Sequence, residues 1–294
     1  MISLRELEFI SSLARRKHFA RAAEDCGVSQ PAFSMRIRKI EEQLGAAIVK
    51  RGNRFQGFTA EGETLVRHAR KIMDDLKVME QEIRSERGEV TGLLSVGVIP
   101  TAAIFAARAI RRLQGLYPGI RVRLETATSL AIQQGLEDGR FEAGFTYGEG
   151  VSRDMLRADP LYQEAYYLLA PVSLIPQGKS EISWAEAAEL PLSLLEPNMQ
   201  NRRILDKVFR DAGLVPDVVS ETSEFTASMV LAAEGASATI VPKVHAETFG
   251  VLDGAVALPL VNPKLEKEVC LVAQMRDPSL PTVAALRKVC LTVQ

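Results

Sequence analysis

Residues 19–44, FARAAEDCGVSQPAFSMRIRKIEEQL, leave few folds open. Their spacing predicts two short helices around a tight turn. Ala22 and Ala23 are small enough to let a second helix cross closely. Cys26-Gly27-Val28 breaks the first helix, with Gly27 free to take the positive φ of a C′ position. Ser29 suits the N-cap of the next helix, and Pro31 its first turn, where a missing N–H costs nothing. Phe33, Ile37, Ile40 and Leu44 then recur at spacings of four, three and four, one apolar face. The other face carries Gln30, Ser34, Arg36, Arg38 and Lys39, donors for phosphates or base edges in a major groove. This is the layout of a helix-turn-helix that reads DNA.

The next segment, AIVKRGNRFQGFTAEGE, extends that reading. Ile48 and Val49 predict a short strand, Gly52-Asn53 a turn, and Phe55, Gly57 and Phe58 a returning strand. The hairpin would project Lys50, Arg51, Asn53 and Arg54 as a wing toward the sugar-phosphate backbone or the minor groove. Thr59 then N-caps a long helix, with Glu61 and Glu63 at its positive end. Leu65, Ala69, Ile72, Leu76, Met79 and Ile83 alternate in steps of four and three to about Arg87, where Gly88 stops it. Such a seam, roughly 40 Å long at 1.5 Å per residue, predicts pairing with a second copy, while its first turns pack on the preceding helices.

Charge is divided along the chain. Residues 1–60 carry 11 basic and 6 acidic side chains, a net of +5, whereas residues 89–294 carry 19 and 24, a net of −5. A basic head on an acidic body suits phosphate contact at one end only. The 294 residues, 47% of them hydrophobic, suffice for two or three domains with real cores. No run of about 18 apolar residues predicts a membrane span, and the amphipathic start with Arg5, Glu6 and Glu8 is no signal peptide. Three distant cysteines, Cys26, Cys270 and Cys290, suit a reducing cytoplasm, and three scattered histidines offer no metal-ligand spacing. No metal or cofactor is expected.

From Leu93 the texture becomes alternating strands and helices. Strands are predicted at 93–98, 121–126, 141–147, 166–171, 191–196, 237–242 and 267–273. Helices are predicted near 102–116, 130–137, 183–189, 200–212, 225–235 and 282–292. Such alternation predicts parallel sheets with covered faces, and two α/β lobes fit the length better than one. Ligands in such sheets bind beyond the carboxyl ends of strands, near helix N-termini.

The runs SQPAFSMRIRKIEEQLG and KRGNRFQGFTAEGE, followed by this two-lobed half with SEFTASMVLAAEGASATIVPK at 223–243, resemble a LysR-type transcriptional regulator over the full length. The resemblance implies a winged helix-turn-helix at 1–58, a dimerising linker helix at 59–88 and an effector domain at 89–294 similar to type 2 periplasmic binding proteins. Lobe I would span about 92–163 and 268–294, and lobe II about 164–267. It places Gln30, Pro31 and Ser34 on the DNA-reading helix and Arg51 and Arg54 in the wing; Ser29, Met35, Arg36, Arg38 and Asn53 complete the candidate DNA-binding set. Met35 stands where a basic or polar residue is common, which suggests apolar contact with a thymine methyl. Val49 replaces a usual Phe.

The family binds a small-molecule effector between the lobes. That implies a site built from Ile99-Pro100-Thr101, Thr128-Ser129, Tyr147, Met199-Gln200 and Glu224-Phe225-Thr226. Hydroxyls and bare N–H groups at three helix starts suit a carboxylate or other small anion, while Glu224 argues against a plainly anionic pocket and leaves the effector's charge open. The expected partners are double-stranded DNA, the effector and further copies of the chain in a dimer and then a tetramer, with RNA polymerase a further candidate. A secreted solute-binding protein would need a signal and no DNA-reading head. An enzyme would need a constellation such as GxSxG, a Walker loop or a His/Cys/Asp cluster, none of which occurs. The alternative is a thiol-based redox regulator on the same fold, but Cys270 in a buried strand and Cys290 in a terminal helix read as structural.

Overall fold

The computed structural model describes residues 1–294 apart from 51, 53, 54, 86–88, 250–252, 277, 293 and 294. Its first helix, α1 (Leu4–Arg16), opens on a capping box in which Ser3 and Glu6 satisfy each other's backbone N–H. Then follow α2 (Phe19–Asp25) and α3 (Gln30–Leu44). Gly27 makes the turn between them at φ +66°, and Ser29 Oγ accepts from Ala32 N–H at the N-cap of α3. Ile10, Leu13, Ala22, Ala23, Phe33, Ile37 and Ile40 form one buried core under the three helices. Leu44, expected on that face, is 44% exposed, because the last turn of α3 runs past the core before Gly45 ends it.

Val49 and Phe58 form the antiparallel bridge of the expected hairpin, with Lys50 N–H donating to the Gly57 carbonyl at 3.0 Å. The expected tip residues Arg51, Asn53 and Arg54 lie outside the described residues. Helix α4 (Ala60–Ser85) starts where Thr59 Oγ1 accepts from Gly62 N–H. Here glycine is a packing requirement, since a Cβ at Gly62 would collide with the Ile48 carbonyl. Val66 and Ala69 join the head's core, whereas Val78, three turns on, is buried in the core of the α/β half.

Among the described residues that half holds ten strands: β1 (Gly92–Val98), β2 (Ile120–Thr126), β3 (Ala143–Tyr147), β4 (Leu156–Pro171), β5 (Ile182–Ser183), β6 (Leu192–Leu195), β7 (Val218–Thr222), β8 (Thr239–Pro242), β9 (Ala255–Val261) and β10 (Glu266–Gln274). The intervening helices are α5 (Ala103–Leu116), α6 (Ser129–Glu137), α7 (Trp184–Ala188), α8 (Gln200–Asp211), α9 (Phe225–Ala233), α10 (Lys243–Phe249) and α11 (Pro281–Cys290). Strands β2, β1 and β3 are parallel, β10 lies antiparallel between β3 and β4, and β4 pairs antiparallel with both β8 and β9. The large sheet is therefore mixed, where βα alternation alone predicted parallel ones, while β6 and β7 form a separate parallel pair as expected.

The difference centres on β4. Only 166–171 was expected as strand, because residues 156–165 (LRADPLYQEA) carry charges and a proline. In the structure β4 is one 16-residue strand. Its first part pairs with β10 through Ala165, and its last part pairs with β8 and β9 from Tyr166 onward. It thus joins two lobes, one cored by Leu94, Val96, Phe145, Leu271 and Leu286 and the other by Leu168, Trp184, Phe209 and Ile240. No helix among the described residues is long and apolar enough to cross a membrane.

Candidate functional site

On α3 the polar residues divide between two flanks. Gln30, Ser34 and Arg38, four apart, line an open groove of about 890 Å³ together with Lys50 and Gly52 at the base of the wing. Glu41 positions that wing by accepting from the N–H groups of both Ile48 and Val49, at 2.9 and 3.2 Å. Arg36 and Lys39 lie on the other flank, close enough to α1 that their charges help lower the Glu6 carboxyl, whose main cause is the Ser3 N–H. Ser29, Gln30 and Pro31 are exposed at the start of α3, and Met35 stands 66% exposed between the flanks.

The expected effector residues do not all converge. Ile99-Pro100-Thr101 forms a short 3₁₀ turn at the end of β1, with Thr101 fully buried. Its hydroxyl caps no helix; it lies 3.2 Å from the Tyr147 hydroxyl. At α6 the cap is Thr128, which accepts from Ala131 N–H, so the Ser129 hydroxyl next to it is buried with no hydrogen-bond partner. Met199 and Phe225 belong to a core of lobe II with Leu169, Leu195 and Met229. Phe225 also stacks edge-on against His245, at 4.8 Å between centroids. Gln200 reaches across to the Glu149 carbonyl at 3.2 Å, while Glu224 and Thr226 are exposed and Glu224 makes no cap hydrogen bond to α9.

What converges instead is a buried polar cluster centred on the Tyr147 hydroxyl. It donates to Glu164 Oε1 at 2.7 Å and receives Asn201 Nδ2 at 3.4 Å, and the Tyr166 hydroxyl lies 3.3 Å away. Thr101 comes from the 3₁₀ turn after β1 and Tyr147 from β3, Glu164 and Tyr166 from β4 where it passes between the lobes, and Asn201 from the first turn of α8. Burial pushes the Glu164 carboxyl up to about 7, opposed by the hydrogen bond from Tyr147. It also drives the Tyr147 and Tyr166 hydroxyls well above their usual range. Glu164, Tyr166 and Asn201 were not expected from the sequence. The one available signal was a carboxylate, Glu164, two residues ahead of the apolar run YYLLAP.

The three cysteines are buried. Desolvation pushes the thiols of Cys270 and Cys290 up to about 12 and raises that of Cys26. Among the described residues no group of His, Cys, Asp and Glu is placed to hold a metal ion.

Comparison with known proteins matches residues 4–63 to the bacterial regulatory helix-turn-helix proteins of the lysR family and residues 87–294 to the LysR substrate binding domain. The DNA-binding transcriptional dual regulator OxyR of Escherichia coli is 29% identical over 280 residues, covering 94% of this chain and 91% of its own. A hydrogen peroxide-inducible genes activator of Haemophilus influenzae is 28% identical over 288 residues, covering 94% and 92%. Among solved structures, a full-length OxyR variant from Pseudomonas aeruginosa superposes with a TM-score of 0.76 at 23% identity, over 99% of this chain and 95% of that one. Full-length CbnR complexed with its target DNA gives 0.65 at 21%, over 98% and 99%. At these identities the structural likeness is one of fold.

Proposed function

Because this chain belongs to the LysR family of transcriptional regulators, we propose that its DNA-binding activity is read out by Gln30, Ser34 and Arg38 and gated by a small molecule held between the two lobes. One observation carries the DNA half: these three side chains share a flank that opens onto the wing. Ser29, Pro31 and Met35 extend that surface, and Arg51, Asn53 and Arg54 are proposed as DNA contacts from the sequence alone. The relatives named above are regulators, and the role proposed here is binding rather than turnover, in the cytoplasm where the DNA lies. We place the head at 1–58, the linker helix at 59–88 and the effector domain at 89–294, with lobe boundaries near 163 and 268.

The test is quantitative binding to operator and to random DNA. Gln30→Ala should cost about 1–3 kcal/mol on operator and relax preference at one base position. Lys50→Ala should weaken binding to all sequences and flatten the dependence on salt. Equal loss on both DNAs for Gln30→Ala would remove it from base readout.

For the effector half, the cluster around Tyr147 supports Thr101 as a contact, since its hydroxyl accepts from Tyr147 beside Glu164 of the interlobe strand rather than capping a helix. Thr101→Val keeps the volume and removes a hydrogen bond worth about 0.5–1.5 kcal/mol. Effector response should fall while basal DNA binding survives. The Haemophilus influenzae relative is named an activator of hydrogen peroxide-inducible genes, which favours a thiol-based reading as second choice. Against it, a reactive cysteine needs a low pKa and access, and the three thiols here have neither.

A further inference from the structure

Glu164 is 2% exposed, and among the described residues no Lys, Arg or His forms an ion pair with it. Its cross-strand neighbour Lys267 turns its ammonium to Glu149 at 2.6 Å instead, and the groups facing the carboxyl are the hydroxyls of Tyr147, Tyr166 and Thr101. The nearby Tyr162 hydroxyl has no hydrogen-bond partner. Tyr147 satisfies Oε1, but Oε2 is buried without a donor. Asn201 repeats the pattern: its Nδ2 donates to Tyr147, and its Oδ1 is buried with nothing to accept from. Once Glu164 gives up its proton, two acceptors, one from each side of the lobe junction, sit around one tyrosine with an oxygen each left unpaired. Buried acceptors of this kind are rare because leaving them unmade is costly.

We propose that Glu164 and Asn201 form the recognition point for a cationic hydrogen-bond donor, a primary amine or amidine carried by the effector. This rests on the interlobe cleft being the effector site, as proposed above. A carboxylate effector could sit here only while Glu164 keeps its proton, because two ionised carboxylates at low dielectric repel strongly. The site is closed over these atoms, so entry of the cation requires the lobes to part and Asn201 to withdraw from Tyr147. That motion couples ligand binding to lobe geometry. The proton balance is explicit: an ammonium arriving on the protonated Glu164 carboxyl displaces one proton, which leaves to the buffer. Binding therefore strengthens as pH rises through about 7, where burial has placed that carboxyl.

Thermal shift of the full chain tests this, with benzylamine, putrescine and benzamidine set against benzoate and succinate. At roughly ten times its Kd, a cation should raise Tm by about 3–5 °C. The shift should vanish in Glu164→Gln, which keeps the volume and is checked for native circular dichroism. Calorimetry of the active cation below pH 7, in buffers of different ionisation enthalpy, should report close to one proton released. A cation shift that survives Glu164→Gln, or no cation shift at all, overturns the proposal. A shift from the carboxylates alone that Thr101→Val abolishes overturns the charge assignment and leaves the cleft as the effector site. If ligands of either class raise Tm unchanged in both variants, the cleft reading falls as well.

Discussion

Burying a carboxyl disfavours its charged form, so Glu164 keeps its proton up to about 7, where an ordinary glutamate loses it near 4.5. Its contribution to stability is complete below 4.5 and is lost as pH rises through 7, a fall of about 3 kcal/mol. His245 works in the opposite sense. Burial lowers its imidazole from 6.5 to about 4, so its contribution holds above 6.5 and is lost as pH falls through 4. In the window they share, from 4.5 to 6.5, the two slopes oppose each other. Denaturant unfolding at a series of pH values should show Glu164→Gln gaining stability with pH across that window more steeply than the parent. A parent and variant of identical slope would mean Glu164 titrates normally. Cysteine chemistry gives a second test at this scale. With Cys270 and Cys290 at about 12, native protein should react with a thiol reagent only as fast as it unfolds, and peroxide should leave operator binding unchanged. A single fast-reacting thiol would restore the redox reading.

At the scale of elements, α4 uses two flanks for two purposes. One is fastened to lobe I: Asp74 pairs with Arg276, Arg70 with Asp138 at 2.8 Å and Lys77 with Glu142 at 3.7 Å, while Gln81 accepts from Thr282 at 3.3 Å. The other leaves Ile72, Met79 and Ile83 in water, with Leu76 half-buried among them. Three large apolar residues on one exposed stripe match the seam expected to pair with a second copy. Met79, 48% exposed, contributes little to the monomer, so Met79→Asp should leave the fold intact while burying an unpaired charge in the dimer. Light scattering should show the mass halved and operator binding lost. An unchanged mass would free this stripe for some other role. The helical elements were legible because their signals are local: caps at Ser29 and Thr59, a turn at Gly27, and apolar spacings of three and four. Residues 156–165 of β4 were not, because the strand they pair with, β10, lies about a hundred residues downstream, and strand pairing overrides the local polarity. The cluster around Tyr147 failed to show for the same reason. Thr101 and Tyr147 were picked from strand ends, but Glu164 acquires its meaning only when β4 brings it beneath them.

Across the whole molecule the order of the chain differs from the order of assembly. The sheet of lobe I is β2-β1-β3-β10-β4, and β10 is both the strand between β3 and β4 and the last in sequence. Every strand of lobe II is therefore synthesised before lobe I can be finished. During that interval β3 and the first half of β4 present open edges, which invite pairing with other chains. A chain truncated after Val261 should carry a protected head and lobe II but an exchange-labile lobe I, as hydrogen exchange on the purified fragment would show; protection of β1 to β3 in that fragment would contradict it. The long strand that lets the lobes communicate thus imposes a delay at birth, in which β4 must wait half-paired for a partner about a hundred residues downstream, and the ribosome-bound chain is most prone to aggregate just before it can first respond to a ligand.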